Sequence, residues 1–300
     1  MTLQVKKLHP TFMAEVSGLQ LCDIQDAETL QEITAALDQY AVLSFRDQSL
    51  DNDQQLAFAK RLGGELHSKT GARTIGQNRF GNEALTDISN IDAADNGQTP
   101  LHTGNRKRLY SLANRLWHTD ASFECPAGRY SMLYAHVIPA VPTDTLFADM
   151  RTAYDDLDAE TRELIDGCLV HHSIAYSRQT LGFEFSADEA ARIQGAWHPL
   201  VRDFPAVNRR GLYLASHASS IEGMPLPEAR CLIRELLEHA TQQKYVGRHQ
   251  WRERDLVIWD NRATMHRATR FDDQTHIRDL RRVTTLEIPP PGESRLFAAG

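Results

Sequence analysis

Apolar and polar positions along this chain alternate in short blocks, and the period changes from one block to the next. "FMAEVSGLQLCDI" (12–24) holds two short alternating runs broken by Gly18, which predicts two strands and a turn. "DAETLQEITAALDQY" sets Leu30, Ile33, Leu37 and Tyr40 on one stripe at helical spacing, with Asp26 as its candidate N-cap. "AVLSFR" (41–46) reads as a buried strand, and "DNDQQLAFAKRLGG" as a second helix stopped at Gly63 and Gly64. Further on, "YSMLYAHVIP" and "DTLFADM" are strand-like, "TAYDDLDAETRELIDG" predicts one helix ending at Gly167, and "CLVHHSIAYS" predicts a strand. "LPEARCLIRELLEHATQ" is the clearest amphipathic helix, with Ala229, Leu232, Ile233, Leu236 and Leu237 on one side. "DLVIWDNRATMHRA" and "RDLRRVTTLEI" predict a closing pair of strands.

Between about 65 and 110 the pattern dissolves, and only "ALTDISNI" is strand-like. Long stretches without regular structure are uncommon in compact domains unless they serve a function, so this segment is expected to form a lid over a site. The tail from Pro289 is proline-led and expected to be peripheral. Neither an internal repeat nor a linker interrupts the chain, which predicts one domain over residues 1–300. Many strands, few helices and no βαβ alternation predict a mainly β fold with flanking helices, a β-sandwich or jelly roll.

Composition narrows the function. With 41% hydrophobic residues in 300, the chain can bury a large core. A net charge of −7, with only short basic stretches at 105–108 and 278–282, speaks against a nucleic-acid binder. No apolar run approaches the roughly 20 residues that span a bilayer, so no membrane association is expected. The first residues lack an apolar signal core, which predicts a cytoplasmic protein, and the expected assembly is a homo-oligomer. Cys22, Cys125, Cys168 and Cys231 lie far apart and read as reduced thiols.

The candidate chemistry starts at "LWHTDASF" (116–123). In an extended segment the side chains of His118 and Asp120 project to the same face, as a metal half-site, a catalytic pair or a structural hydrogen bond. "LVIWDNRATMHRA" delivers His266 at the end of an apolar run. Two histidines and one carboxylate form the facial triad of non-haem Fe(II) oxygenases, which leaves adjacent positions open for a chelating cosubstrate and dioxygen. Zn(II) accepts the same ligands, so a zinc hydrolase is a rival reading. His171, His172, His198, His217, His239, His249 and His276 are each read as solvent-facing or hydrogen-bonded structural histidines. In "RDLRR", Arg278 and Arg282 share a strand face, roughly 13 Å apart at about 3.3 Å per residue, while Arg281 faces the other way. Inward, the two guanidinium forks would suit two carboxylates. Outward, they would make a basic edge strand.

The blocks "LWHTDASF", "GRYSMLYA", "DTLFADMRTAYDDL", "LLEHATQ", "DLVIWDNRATMHR" and "RDLRRVTTL" together resemble the taurine dioxygenase family of Fe(II)/2-oxoglutarate-dependent enzymes, from residue 8 to 287. The resemblance implies a double-stranded β-helix (a cupin-like jelly roll), with Fe(II) on His118, Asp120 and His266, and O2 as the oxidant. It implies that Thr145 and Arg278 hold the distal carboxylate of 2-oxoglutarate, that Trp259 lines that pocket, and that Arg282 meets the substrate's anionic group. The implied substrate is a small anionic aromatic molecule, an aryloxyalkanoate such as 2,4-dichlorophenoxyacetate. Alternatives on the same fold are taurine, an alkylsulfonate or a sulfate ester, or a non-catalytic binding protein. Two departures stand out: Pro142-Thr143 replaces a Gly-Gly pair, and the 65–110 segment is longer than in relatives. His67 and Lys69, inside that segment, are candidate substrate contacts.

Overall fold

The computed structural model describes residues 3–68, 79–93 and 99–288. Strands β1 (Gln4–Lys7) and β2 (Ala14–Ser17) form an antiparallel pair. The second strand expected after Gly18 is absent. Gln48 Oε1 accepts the Leu21 N–H at 2.9 Å, and Leu21 is buried in a short 3-10 turn instead. Helix α1 (Ala27–Tyr40) is capped by Asp26, which accepts from the Thr29 N–H, and buries Ile33, Ala36 and Leu37. Strand β3 (Val42–Phe45) is buried throughout, and α2 (Asn52–Gly63) opens on a reciprocal Asp51–Gln54 capping box. Gly63 is required by packing: a Cβ there would come within 2.5 Å of Thr285, so only glycine lets the helix rest on the sheet.

Strand β4 (Thr86–Ser89) and helix α3 (Arg106–Ser111) fall inside the segment expected to be a lid. Lys69 and most of that segment's centre lie outside the described residues, as does the tail from Pro289. Strands β5 (Gly128–Val137) and β6 (Thr145–Asp149) follow. The single helix expected up to Gly167 is two: α4 (Met150–Asp155) stops, and Asp158 caps α5 (Ala159–Ile165) through the Thr161 N–H. A capping side chain competes with helix continuation, and here it wins. The same competition ends β7 (Leu169–His172), where Ser173 caps α6 (Ile174–Gln179) and overturns the strand expected to run on to Ser177. Helix α7 (Ala187–Ala191), β8 (Ala196–Pro199), β9 (Val201–Phe204), β10 (Arg209–Leu212), β11 (Ala218–Ile221), α8 (Leu226–Ala240) and β12 (Val246–His249) complete this half. The chain closes with β13 (Leu256–Asp260), β14 (Thr264–Ala268) and β15 (Asp279–Leu286).

The large sheet has the order β1-β2-β3-β13-β5-β15-β4, and facing strands are grouped as β12-β6-β14 and β11-β7-β8. Side-chain alternation then sorts each strand of the large sheet between two environments. Leu133, Ala135, Val257, Trp259 and Leu280 point inward and meet Phe147 of β6. Met132, Tyr134, Ile258 and Val283 point outward and are covered by α1 and α2 through Ile33, Leu37, Leu56 and Phe58. Helix α8 covers the other side, with Ala229, Ile233 and Leu236 against Ala148 and Met265. This is a double-stranded β-helix with helices outside. The last strand-like stretches do not pair with each other. Strands β13 and β15 flank β5 on either side, and the 261–263 turn sends β14 into the opposite sheet. Among the described residues no helix is long and apolar enough to cross a membrane.

Candidate metal centre

His118, Asp120 and His266 come together with ligand atoms all within 4.8 Å of one another. Each residue is delivered by a different local device. His266 stands on β14. His118 lies opposite it, where the two backbones exchange both hydrogen bonds, at 3.0 and 2.7 Å. Asp120 is held by Asn261 in the 261–263 turn: its N–H donates to Asn261 Oδ1 at 3.1 Å, and the Thr119 hydroxyl donates to Asn261 O at 2.6 Å. The start of β5 passes under this segment at Gly128, where a Cβ would sit 2.9 Å from the Asp120 carbonyl oxygen.

The ligand atoms are prepared for a cation. His118 Nδ1 donates to the Leu116 carbonyl at 2.8 Å, which leaves the Nε2 lone pair facing Asp120 Oδ1 at 4.0 Å. His266 Nε2 lies 3.7 Å from Asp120 Oδ2. Burial pushes the His118 pKa down to about 4 and His266 well below its ordinary value, so both imidazoles are neutral at pH 7. Burial alone would raise the Asp120 pKa. The charge of Arg282, with His266, His118 and the Ser131 hydroxyl, outweighs it and holds the carboxylate at about 2. Two neutral nitrogens and one carboxylate oxygen, all nearly sealed from solvent, fit a divalent iron.

Ser131 and Asn261 were not singled out by the sequence, and both act on Asp120. The Ser131 hydroxyl donates to Asp120 Oδ2 at 2.7 Å, and Asn261 Nδ2 donates to Ser131 Oγ at 3.0 Å. The only signal for them was position, inside "GRYSMLYA" and next to "IWD". Trp259 belongs to the same set. It is buried, its ring is 4.7 Å from that of His266, and its indole N–H donates to Asn261 at 2.9 Å. It therefore supports the ligands and packs against the inner core.

Of the arginines, Arg282 ion-pairs through Nη1 with Asp120 Oδ1, and its buried Nε has no hydrogen-bond partner among the described residues. Arg281 faces out, with its guanidinium 4.5 Å from the Phe80 ring and bonded to Asn52. Arg278 is buried just before β15, and its Nε is likewise unpartnered among the described residues. Burial pulls the Arg278 pKa down to about 10. The charge of Asp144 opposes this, but that carboxylate is already bonded to Arg248. Thr145, the residue after Asp144, accepts from Trp251 Nε1 at 3.0 Å, which leaves its own hydroxyl proton to donate. Thr145 pairs with Ala268, and Ala268 lines a cavity together with Arg278. His67 is buried beside β15, its backbone N–H on the Thr284 carbonyl at 2.8 Å.

Residues 4–284 match the model of a family described as "Taurine catabolism dioxygenase TauD, TfdA family". An alpha-ketoglutarate-dependent 2,4-dichlorophenoxyacetate dioxygenase from Burkholderia sp. (strain RASC) is 41% identical, over 98% of this chain and 99% of that protein. A (S)-phenoxypropionate/alpha-ketoglutarate-dioxygenase from Delftia acidovorans is 34% identical, over 90% of this chain and 91% of its own. The crystal structure of AAD-2 in complex with Mn(II) and N-oxalylglycine superposes with a TM-score of 0.91 at 40% identity, covering 97% of this chain and 99% of that one.

Proposed function

The chain belongs to the TauD, TfdA family of dioxygenases, and on that premise we propose that its primary substrate is an aryloxyalkanoate anion such as 2,4-dichlorophenoxyacetate. It is an enzyme dependent on Fe(II) and 2-oxoglutarate, with O2 as the oxidant. The observation that carries the substrate reading is the pair of guanidinium groups served by one end of β15. Among the described residues Arg278 has no carboxylate partner, and Arg282 has a buried edge left over after Asp120. The reaction brings in two anions, and two cationic groups await them.

His118, Asp120 and His266 hold the iron, with the His118 proton parked on the Leu116 carbonyl so that Nε2 stays available. Arg278 and the donor hydroxyl of Thr145 anchor the distal carboxylate of 2-oxoglutarate. Arg282 keeps one nitrogen on Asp120 and turns its free edge to the substrate's anionic group. The iron, when bound, supplies the activation of O2 that is coupled to oxidative decarboxylation of 2-oxoglutarate. The protein's part is to hold one C–H bond close to the reacting centre and to exclude water. Hydroxylation of the carbon between ether oxygen and carboxylate gives a hemiacetal. It collapses to a phenol and glyoxylate, alongside succinate and CO2.

Succinate formation measured with Fe(II), 2-oxoglutarate and ascorbate tests the reading. Aryloxyacetates, 2-aryloxypropionates, taurine and an alkyl sulfate are compared side by side. Stimulation by the aryloxy acids together with phenol release is the expected result. Stimulation by taurine or the sulfate ester alone would overturn it in favour of sulfur-oxyanion chemistry, the sulfate-ester enzyme of Pseudomonas putida being a 32% identical relative.

A further inference from the structure

Three arginines are buried among the described residues, and they differ in what balances their charge. Arg151 pairs with Asp149. Arg278 and Arg178 form no ion pair with any described carboxylate. The cosubstrate accounts for Arg278, and nothing so far accounts for Arg178. We propose that Arg178 is a second anchor for the anionic group of the primary substrate, acting with Arg282, and that it sets the enzyme's preference for charged arenes. This rests on the reading of the substrate as an anionic arene.

Arg178 sits near the end of α6 and is only 5% exposed. Its Nη1 donates to Ser177 Oγ at 2.9 Å and to His217 Nε2 at 3.1 Å, while its Nε is buried with no partner among the described residues. A guanidinium only donates, so His217 Nε2 accepts, and the imidazole proton lies on Nδ1, facing Ser122 Oγ at 3.2 Å. Ser122 in turn lies 2.9 Å from His172 Nδ1. This buried row is polar but carries no negative charge, so it positions the guanidinium without neutralising it.

The row ends at the metal site. The His217 ring is 6.1 Å from that of His118 and 5.2 Å from Phe123. The charges of Arg178 and Arg282 both act on His118, and the charge of Asp120 acts on Arg178. On its other side the Arg178 guanidinium lies 4.6 Å from the Tyr110 ring centroid. Tyr110 adjoins Phe183 at 5.6 Å, and Phe183 adjoins Phe185 at 5.0 Å. A cation buried without a counter-charge is costly, and an aromatic wall with neutral imidazoles offsets only part of that cost. An arene bearing an oxyanion supplies what is missing: a ring for the aromatic wall, and two or more oxygens that a pair of guanidinium groups can share.

The test compares wild type with Arg178→Met, which keeps the apolar stem, and Arg178→Lys, which keeps the charge but not the fork. KM and kcat are measured for 2,4-dichlorophenoxyacetate and for its uncharged alcohol counterpart, with KM for 2-oxoglutarate alongside. Binding of phenoxyacetate to protein loaded with Mn(II) and 2-oxoglutarate is followed by calorimetry without O2. Arg178→Met should raise the KM for the acid by roughly thirtyfold or more, leave the 2-oxoglutarate KM unchanged and shrink the preference for acid over alcohol. Arg178→Lys should fall between the two. An unchanged KM for the acid in a folded Arg178→Met protein would reduce Arg178 to a prop for α6 and overturn the proposal. Should the methionine variant not fold, an unchanged calorimetric Kd in Arg178→Lys overturns it equally. If wild type binds phenoxyacetate but turns over no aryloxyalkanoate, the substrate reading falls, while the Kd difference between wild type and variants still decides the role of Arg178. Absence of any phenoxyacetate binding by wild type overturns the anchor as well.

Discussion

Replacing Arg278 by methionine should move two quantities in opposite directions. Burial lowers the pKa of this guanidinium to about 10, with the charge of Asp144 only partly opposing. By linkage, a cation whose pKa is depressed in the folded state weakens the fold wherever it stays charged, here by roughly 3 kcal/mol at neutral pH. Methionine keeps much of the stem's packing and removes the charge. The metal-free and cosubstrate-free variant should therefore melt no lower than wild type, and higher if the stem repacks well. Binding pays the opposite way: a carboxylate left in that pocket without its counter-charge costs roughly 3–5 kcal/mol. At 1.4 kcal/mol per decade, the Kd for 2-oxoglutarate should rise by roughly 140- to 3,700-fold. Calorimetric titration of 2-oxoglutarate into the Mn(II)-loaded protein gives the second quantity, and thermal unfolding of the unloaded protein gives the first. A variant that melts several degrees lower yet binds 2-oxoglutarate as wild type does would refute the reasoning. Arg278 would then be a structural residue, and the anchor would lie elsewhere.

Other consequences are simpler to read. His118→Ala or His266→Ala should abolish turnover and sharply weaken iron binding, because each removes one of three ligands; succinate assays across an iron titration check this. Ser131→Ala removes the hydroxyl on Asp120 Oδ2 and should raise the iron concentration needed for half activity by roughly 10–100-fold. Arg282→Leu should do likewise while also raising the substrate KM, and an unaltered iron requirement there would detach Arg282 from Asp120. Acid should unfold the metal-free protein early. His118, His172, His198, His217 and His266 are buried with lowered pKa values, so below about pH 6.5 the unfolded chain takes up protons that the native one refuses. Each contributes a stability loss of about 1.4 kcal/mol per pH unit, and together they should place the acid midpoint near pH 5. Circular dichroism against pH reads it, and a midpoint below pH 4 would contradict the burial of these rings.

The clustering of His118, Asp120 and His266 was legible because their spacing fits a chemical demand: an HxD pair and a distant histidine at the end of a run rich in apolar residues suit one divalent cation. The opposed faces of Arg281 and Arg282 were legible because strand alternation admits one answer per register. What the pattern hid were decisions made by single polar side chains. Asp158 and Ser173 each capped a new helix where the apolar period ran on unbroken. Arg178 was missed for a related reason: it comes directly after a stretch read as strand, in a helix of six residues too short to show a period. His217, read as solvent-facing or hydrogen-bonded, is buried and hydrogen-bonded. Its partner, however, is 39 residues away, and nothing local announces it. Likewise, "IWDNRATMH" reads as part of one strand, and only the fold places its two halves in facing sheets.

The backbone bridge between His118 and His266 has a consequence for how the enzyme is filled. Two of its three ligands are spaced by main-chain hydrogen bonds, and the third is fixed by Asn261, so the bite of the chelate does not wait for the ion. In small zinc modules the ion and the fold arrive together, and a chelator unmakes both. With His118, Asp120 and His266 as the proposed ligands, loading is expected to be a local equilibrium on a finished scaffold, with iron lost to a chelator or to oxidation replaced without the chain having to find its structure again.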